Sequence, residues 1–349
     1  MEEINYKNIN LKEKKVNLGI NVLKMILSFW VLSFHCTSLK IKTKYKILKT
    51  FFHVPTFMII SFYFSYNLFY IRNVTKVKQR IKRLLIPYSI VPLIHLIIFE
   101  DFFQYNKKGF KAKIKRHIIS LYLQYITGYT CSLQLWYIQI LIFYTIFFFI
   151  IFSIFRKNSI VIIQIIQIIS YLIQYSEINY KIFIKYKKAH IRSISHIVEI
   201  IPFAITGLTF ARIKILKIFI NHRIKSIFYF IIILIIIYNY NIFDNFKGFP
   251  YSGIGKNMAA ICLFISFSLI PFEKINKKIL VNSIRLLTSY TGGVYYFHLI
   301  INYIILKITH SKSNNNNFYN CIVIYLVCYI FFMIGTKTFK NSQLKYLFN

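Results

Sequence analysis

The chain has 349 residues, of which 57% are hydrophobic and only 15% are charged, and its mean hydropathy is +0.54. A soluble globular domain carries about 45–50% apolar and about 25% charged residues, so this composition excludes a soluble protein. The apolar residues come in long blocks, and a helix of about 20 residues crosses a bilayer core of about 30 Å. Because a helix satisfies its own backbone hydrogen bonds in lipid, the sequence predicts an all-α, polytopic integral membrane protein.

The formal net charge of +36 first suggests nucleic-acid binding, but the distribution of the charges argues against it. Lys and Arg residues lie in short connections between apolar blocks rather than in one patch, which is typical of anchoring at a membrane interface. Anionic lipid head groups are the partner that such a surface predicts. The five cysteines have no paired spacing, which argues against a disulfide framework and against a zinc site.

About ten spans follow along the chain, each near the length that a bilayer requires. The predicted spans cover residues 17–39, 50–71, 84–101, 133–155, 159–176, 195–215, 226–243, 253–272, 286–307 and 319–338. A shorter apolar stretch at 117–127 is predicted to be interfacial or re-entrant. The organisation that follows is a cytosolic N-terminal segment at 1–16, one transmembrane domain at 17–338 and a C-terminal tail at 339–349.

The orientation is predicted from the basic residues in the connections. Basic residues are frequent on both sides, and the densest tightly flanked connection, a loop at 72–83, falls inside when the N-terminus is inside. We therefore expect both termini on the cytosolic side. A bacterial-type cytoplasmic membrane and a eukaryotic endomembrane are both compatible with the sequence.

Two ionisable residues inside the first span are candidates for function, because ionisable groups are costly in lipid. Lys24 and His35 lie about three helical turns apart, so they share one side of a helix at a separation of about 16 Å along it. A histidine can accept a proton near physiological pH. The alternative is an interfacial histidine and a lysine that snorkels to the head groups.

A basic pair, Arg80 and Arg83, precedes the third span. Their spacing places both on one face if the segment is helical. Arginine binds phosphate bidentately, so a pair at a cytosolic helix start is suited to hold a phosphorylated cofactor. The alternative is ordinary positive-inside anchoring.

Other candidates are polar or aromatic residues in the second, fourth and ninth spans. They are His53, Ser61, Trp136, Tyr296 and His298. His53 opens the second span together with Pro55, and proline at a helix start is structurally routine. If the first two spans are antiparallel neighbours, His53 lies near the membrane face of His35. For Trp136 the alternative is a place in the aromatic belt of the interface.

In their order along the chain, these motifs resemble those of the membrane-bound acyltransferase 3 family, whose members O-acylate carbohydrates and related acceptors. The matching elements are Lys24 with His35, then His53, Pro55 and Phe57, then Arg80 and Arg83 before Pro87, then Trp136, and finally Tyr290 to His298. The sequence departs from the family pattern at Asn21, where aspartate is usual, at Lys24 in place of arginine, and at Phe62 in place of glycine. The resemblance covers most of the chain.

The resemblance implies transfer of an acyl group, expected to be acetyl, from cytosolic acyl-CoA. The implied acceptor is a hydroxyl of a carbohydrate or glycolipid that is reached from the other membrane face, and no metal is implied. It implies that His35 is a general base on the acceptor hydroxyl or transiently carries the acyl group. The implied binding residues are Arg80, Arg83 and Lys24 for acyl-CoA, and His53, Trp136, Ser61, His298 and Tyr296 for the acceptor.

Two other classes of protein stay open from the sequence. A proton-coupled transporter or flippase also uses buried histidines, but proton relays often use Asp or Glu, and Glu199 is the best acidic candidate in a span. Substrate movement without consumption of acyl-CoA would indicate this class. A catalytically inactive relative is the second alternative, and absence of acyl-CoA binding would indicate it.

Overall fold

The computed structural model describes residues 17–36, 52–99, 110–127, 135–175, 189–239, 251, 254–271, 278–308 and 318–347. These residues form helices, and none of them belongs to a strand. In chain order the helices are α1 (Leu18–Cys36), α2 (His53–Tyr70), α3 (Val74–Phe99), α4 (Phe110–Thr127), α5 (Trp136–Phe155), α6 (Ser159–Tyr175), α7 (Ala189–Arg212), α8 (Ile215–Phe219), α9 (Arg223–Asn239), α10 (Ile254–Leu269), α11 (Lys278–Ser289), α12 (Thr291–Ile308) and α13 (Phe318–Thr338).

Six stretches of the described residues are long and apolar enough to cross a membrane. They are Leu18–His35, Val74–Ile98, Trp136–Gln174, Ile194–Arg212, Ile215–Asn239 and Asn320–Thr338. The third of these contains both α5 and α6, which a 3-10 turn at Arg156–Asn158 separates. The prediction of an all-α polytopic membrane protein is confirmed, while the count of ten spans stays a prediction.

The outward faces of the bundle carry large apolar side chains, most clearly on α9. Ile224 and Phe228 of this helix are 80% and 62% exposed. Soluble monomers rarely expose contiguous apolar surface of this extent. Lipid tails are the natural cover for these faces, which agrees with an integral multi-pass membrane protein.

Two boundaries differ from the sequence prediction. The predicted loop at 72–83 is wrong, because α3 begins at Val74 and only a tight turn separates it from α2. The side chain of Asn73 caps α3, since its Oδ1 accepts a hydrogen bond from the backbone N–H of Lys76 at 2.9 Å.

The span predicted at 286–307 is interrupted at Tyr290, between α11 and α12. The predicted N-terminal segment at 1–16 lies outside the described residues.

Helix α1 packs against α2, α10, α11, α12 and α13. Its first turn is held close to the end of α10, because a Cβ on Gly19 would lie 1.7 Å from the carbonyl oxygen of Phe267. The side chain of Asn17 forms a hydrogen bond with each of the two helices at this contact. Its Nδ2 donates to the carbonyl of Ser268 at 2.8 Å, and its Oδ1 accepts from the N–H of Ile20 at 3.1 Å.

Helix α7 contains Pro202, which has no N–H to donate to the carbonyl of Val198 one turn earlier. Two side chains of α6 replace the missing donor. Ser170 Oγ lies 2.6 Å and Gln174 Nε2 lies 2.9 Å from that carbonyl oxygen. The proline is therefore compatible with a lipid-embedded helix, and Glu199 follows directly after the satisfied carbonyl.

The contact between α7 and α2 generates a prediction about helix spacing. A Cβ on Gly207 would lie 2.4 Å from the backbone oxygen of Ile59, which cannot rotate away. We expect Gly207→Ala to lower the free energy of unfolding by about 1–3 kcal/mol through overpacking. Gly293→Ala is the matched control, because the nearest neighbours of its Cβ would be side-chain atoms of Phe332, at 3.0 Å, rather than backbone. Thermal unfolding in detergent compares the two variants, and equal melting temperatures would contradict the prediction.

Candidate active site

His35, near the end of α1, lies against His298 of α12. The ring centroids are 5.2 Å apart and the ring planes are tilted by 40°. His35 is exposed, whereas His298 is fully buried. The two imidazoles therefore connect the surface at the end of α1 with the interior of the bundle.

His53, the first residue of α2, lies in the same region and is buried. The ring of Phe34 contacts both His53 and His35, with its centroid 6.2 Å from that of His53 and 5.3 Å from that of His35. The three histidines singled out in the sequence are thus linked by ring contacts at the end of α1. We call this region, defined by His35, His53 and His298, the histidine end.

The hydrogen bonds of His298 determine which of its nitrogens carries the proton. Nδ1 lies 3.0 Å from the carbonyl oxygens of both Val294 and Tyr295. Carbonyl oxygens only accept hydrogen bonds, so Nδ1 is the donor. Nε2 is then the basic nitrogen of the neutral ring.

Arg80 lies inside the bundle, where it joins three helices. From α3, its Nη2 donates to Ser61 Oγ of α2 at 2.7 Å and its Nε donates to Thr145 Oγ1 of α5 at 3.0 Å. The guanidinium carbon also lies 5.5 Å from the ring centroid of Phe62. Arg83 lies one turn further along α3 and is exposed. The basic pair of the sequence therefore consists of one interior and one exposed arginine.

Lys24 of α1 brings a second cation close to Arg80. Its Nζ lies 5.5 Å from the ring centroid of Phe64, and Arg80 is near enough for the two positive charges to repel each other. Glu199 is the only Asp or Glu among the described residues, and it bonds to other groups. Two neighbouring cations in a bilayer without a nearby carboxylate in the described part of the chain favour binding of an anion.

Trp136 belongs to a buried aromatic cluster rather than to the exposed interface. Its ring stacks on His196 at 4.7 Å, and Tyr251 lies 5.2 Å away. Glu199 holds this cluster together, since Oε2 lies 3.0 Å from Nδ1 of His196 and Oε1 accepts the backbone N–H of Tyr251. Burial raises the pKa of the Tyr251 phenol, and the neighbouring Glu199 carboxylate raises it further, so the phenol stays neutral.

Two tyrosines, Tyr137 and Tyr295, connect this cluster with the histidine end. The ring of Tyr137 lies 6.2 Å from Trp136 and 5.6 Å from Tyr295. Tyr295 in turn lies 6.4 Å from His298. Tyr296 is buried beside Tyr295, with ring centroids 6.1 Å apart. Ring contacts thus link Trp136, Tyr296 and His298 of the sequence candidates, while Arg83 lies on the surface.

Sequence reasoning missed three buried residues. His196 and Tyr251 belong to the Trp136 cluster, and Lys256 of α10 is only 1% exposed. The signal available for His196 was its spacing of three from Glu199, which places the two on one helix face. Among the described residues, no three His, Cys, Asp or Glu side chains form a group that could hold a metal ion.

The apolar outer faces, together with interior cations and histidines, define an integral multi-pass membrane protein with an ionisable site. The family profile described as an acyltransferase domain, acyltransferase 3, matches residues 17–341, which is nearly the whole chain. The chain therefore belongs to the acyltransferase 3 family and is an acyltransferase. No curated protein and no solved structure matches it.

The bonds of Glu199 generate a stability prediction. Glu199→Ala leaves His196 and the N–H of Tyr251 without their carboxylate, and a buried polar group that loses its hydrogen-bond partner costs about 1–3 kcal/mol. Glu199→Gln retains an oxygen for Tyr251 and an amide that can donate to His196, so we expect a smaller loss. Thermal unfolding of both variants tests this. If Glu199→Ala melts like the wild type, the carboxylate does not hold the cluster.

Proposed function

We propose that this acyltransferase moves an acetyl group from acetyl-CoA to a hydroxyl of a carbohydrate or glycolipid acceptor. The observation that carries the proposal is the pairing of His35 with His298 at one end of the bundle, in a chain of the acyltransferase 3 family. A neutral imidazole is suited to deprotonate a hydroxyl. The cations Lys24 and Arg80, deeper in the bundle, are suited to an anionic donor.

The donor is assigned to Lys24, Arg80 and Arg83 on grounds of charge. CoA is a phosphorylated carrier, and guanidinium groups bind phosphate in a bidentate geometry. A guanidinium has five N–H donors, so the two bonds from Arg80 to Ser61 and Thr145 leave it able to contact an anion. In this proposal Ser61 acts through Arg80 by fixing its orientation.

The acceptor is assigned to the histidine end and to the tyrosines and Trp136 near it. His53 and His298 supply polar groups, and Tyr296 and Trp136 supply aromatic surface. One face of the Trp136 ring is already occupied by His196. A sugar that contacts Trp136 therefore does so at the opposite face or at the ring edge.

In the proposed reaction His35 acts as the general base. The acceptor oxygen attacks the carbonyl carbon of the acetyl group while its proton passes to the imidazole. The bond between carbon and sulfur then breaks, and CoA leaves as a thiolate that takes up a proton. The products are the O-acetylated acceptor and CoA. Lipids of the surrounding membrane cover the apolar faces and are the other expected partners.

The first test compares purified wild type with His35→Ala in nanodiscs. Acetyl-CoA is the donor, octyl glucoside is the probe acceptor, and released CoA thiol is the readout, so that hydrolysis is recorded too. We expect His35→Ala to lose about 10²- to 10⁴-fold in rate, the usual effect of removing a general base. His222→Ala is the matched control, because His222 is an exposed histidine in the turn Ile220–His222.

Full activity of His35→Ala would show that His35 is not the general base. Movement of a substrate across the bilayer without CoA release would indicate the transporter class instead. A wild type that folds but neither binds acetyl-CoA nor releases CoA would indicate an inactive relative.

A second test concerns the donor site. Arg83→Gln removes an exposed cation, so we expect a higher KM for acetyl-CoA with an unchanged melting temperature. A lost charged hydrogen bond is worth about 1.5–3 kcal/mol, which corresponds to a rise of roughly 10- to 100-fold. Arg80→Gln should also lower the melting temperature, because Arg80 bonds to α2 and α5. Lys82→Gln is the control, as a neighbouring exposed cation of α3. If both arginine variants keep the wild-type KM but insert poorly, the pair serves membrane anchoring.

A further inference from the structure

Nε2 of His298 is buried and has no hydrogen-bond partner among the described residues. The ring cannot turn to present its N–H there without losing the bonds from Nδ1 to Val294 and Tyr295. A buried polar atom without a partner costs about 1–3 kcal/mol, and such an atom requires an explanation. A proton or a hydroxyl group that arrives during the reaction would provide the missing partner.

A second buried polar atom without a hydrogen-bond partner among the described residues lies on α12. Oδ1 of Asn302 is buried and also lacks a partner within the described part of the chain. Residues four apart share one helix face, so Asn302 and His298 lie about 6 Å apart along the axis of α12. This face of α12 therefore presents two acceptors, and an acceptor molecule with several hydroxyls carries several donors.

We propose that His298 forms a proton-accepting pair with His35, in which Nε2 of His298 takes the proton that the transfer reaction releases. This inference rests on the proposed function and deepens it. The acceptor hydroxyl gives its proton to one nitrogen of His35 as its oxygen bonds to the acetyl carbon. The exposed ring of His35, whose centroid lies 5.2 Å from that of His298, turns so that its other nitrogen comes within hydrogen-bond distance of Nε2 and passes its own proton there. When the bond between carbon and sulfur breaks, the same steps run in reverse and deliver a proton to the CoA thiolate, so both rings end neutral.

The surroundings of His298 are suited to a transient positive charge. An isolated imidazolium at this depth is costly. The carbonyl oxygens of Val294 and Tyr295, each 3.0 Å from Nδ1, accept from a donor that becomes charged. Hydrogen bonds of this kind are about twice as strong as neutral ones. His298 therefore acts as a positioning residue that stores a proton behind His35, without itself attacking the donor.

The test begins with His298→Asn, which keeps a donor near the position of Nδ1 and removes the basic nitrogen. In the CoA-release assay with acetyl-CoA and octyl glucoside, we expect kcat to fall about 10²-fold or more. The KM for acetyl-CoA and the melting temperature should stay at their wild-type values. A purely structural role would lower the melting temperature and would not separate kcat from KM in this way.

Chemical rescue provides the second measurement. His298→Ala leaves a buried space that imidazole or pyrrole can enter. Both have the same ring size and an N–H donor, but only imidazole has a basic nitrogen. We expect imidazole to raise kcat above that of the pyrrole-treated variant.

Two outcomes overturn this inference. One is a kcat of His298→Asn equal to that of the wild type, and the other is failure of imidazole to exceed pyrrole in His298→Ala. Loss of activity in His35→Ala together with full activity in His298→Asn would leave the proposed function standing. A wild type that releases no CoA would contradict the proposed function itself, so the two failures are distinguishable.

Discussion

A cation inside a bilayer must find its hydrogen-bond partners within the protein, and Arg80 meets this requirement by joining three helices. Its bonds reach Ser61 on α2 and Thr145 on α5, both in the interior of those helices. The first residues of α2 and α5 are His53 and Trp136, so these bonds tie Arg80 to the two helices that carry these side chains. The groups proposed to bind the acceptor therefore depend on a residue proposed to bind the donor.

Two residues that depart from the family pattern, Phe62 and Asn21, affect the surroundings of the interior cations. Phe62, where glycine is usual, is fully buried and packs against Tyr144 and Phe148, with ring centroids 6.1 and 5.3 Å away. Its ring also faces the guanidinium of Arg80, so the larger side chain contributes a cation–π contact that glycine lacks. Asn21, in place of aspartate, leaves α1 without a carboxylate near Lys24. The loss of negative charge is consistent with a site that takes an anionic donor.

Spacing within a single helix could be predicted from the sequence, and contacts between helices could not. Helical periodicity predicted one face for Arg80 and Arg83, but the packing between helices makes Arg80 interior and leaves Arg83 exposed. The dense basic residues of 72–83 suggested a connection. The cap formed by Asn73 instead starts α3 well before the apolar run. His196 escaped notice because its partner Trp136 belongs to another helix, and helix packing in a membrane depends on close steric fit. The burial of His298 and the exposure of His35 depend on the same packing.

Charge balance constrains how the histidines work. Glu199 is the only Asp or Glu that the described residues contain, and its oxygens bind His196 and Tyr251 in the cluster around Trp136. Within the described part of the chain, a carboxylate that would stabilise protonated His35 is therefore absent. Backbone dipoles and a second imidazole are two groups that can share the positive charge formed during the transfer. His298 offers both, because its Nδ1 bonds to two carbonyls and its Nε2 is basic. A base that passes its proton inward and recovers it for the leaving thiolate needs no water molecule to complete the transfer.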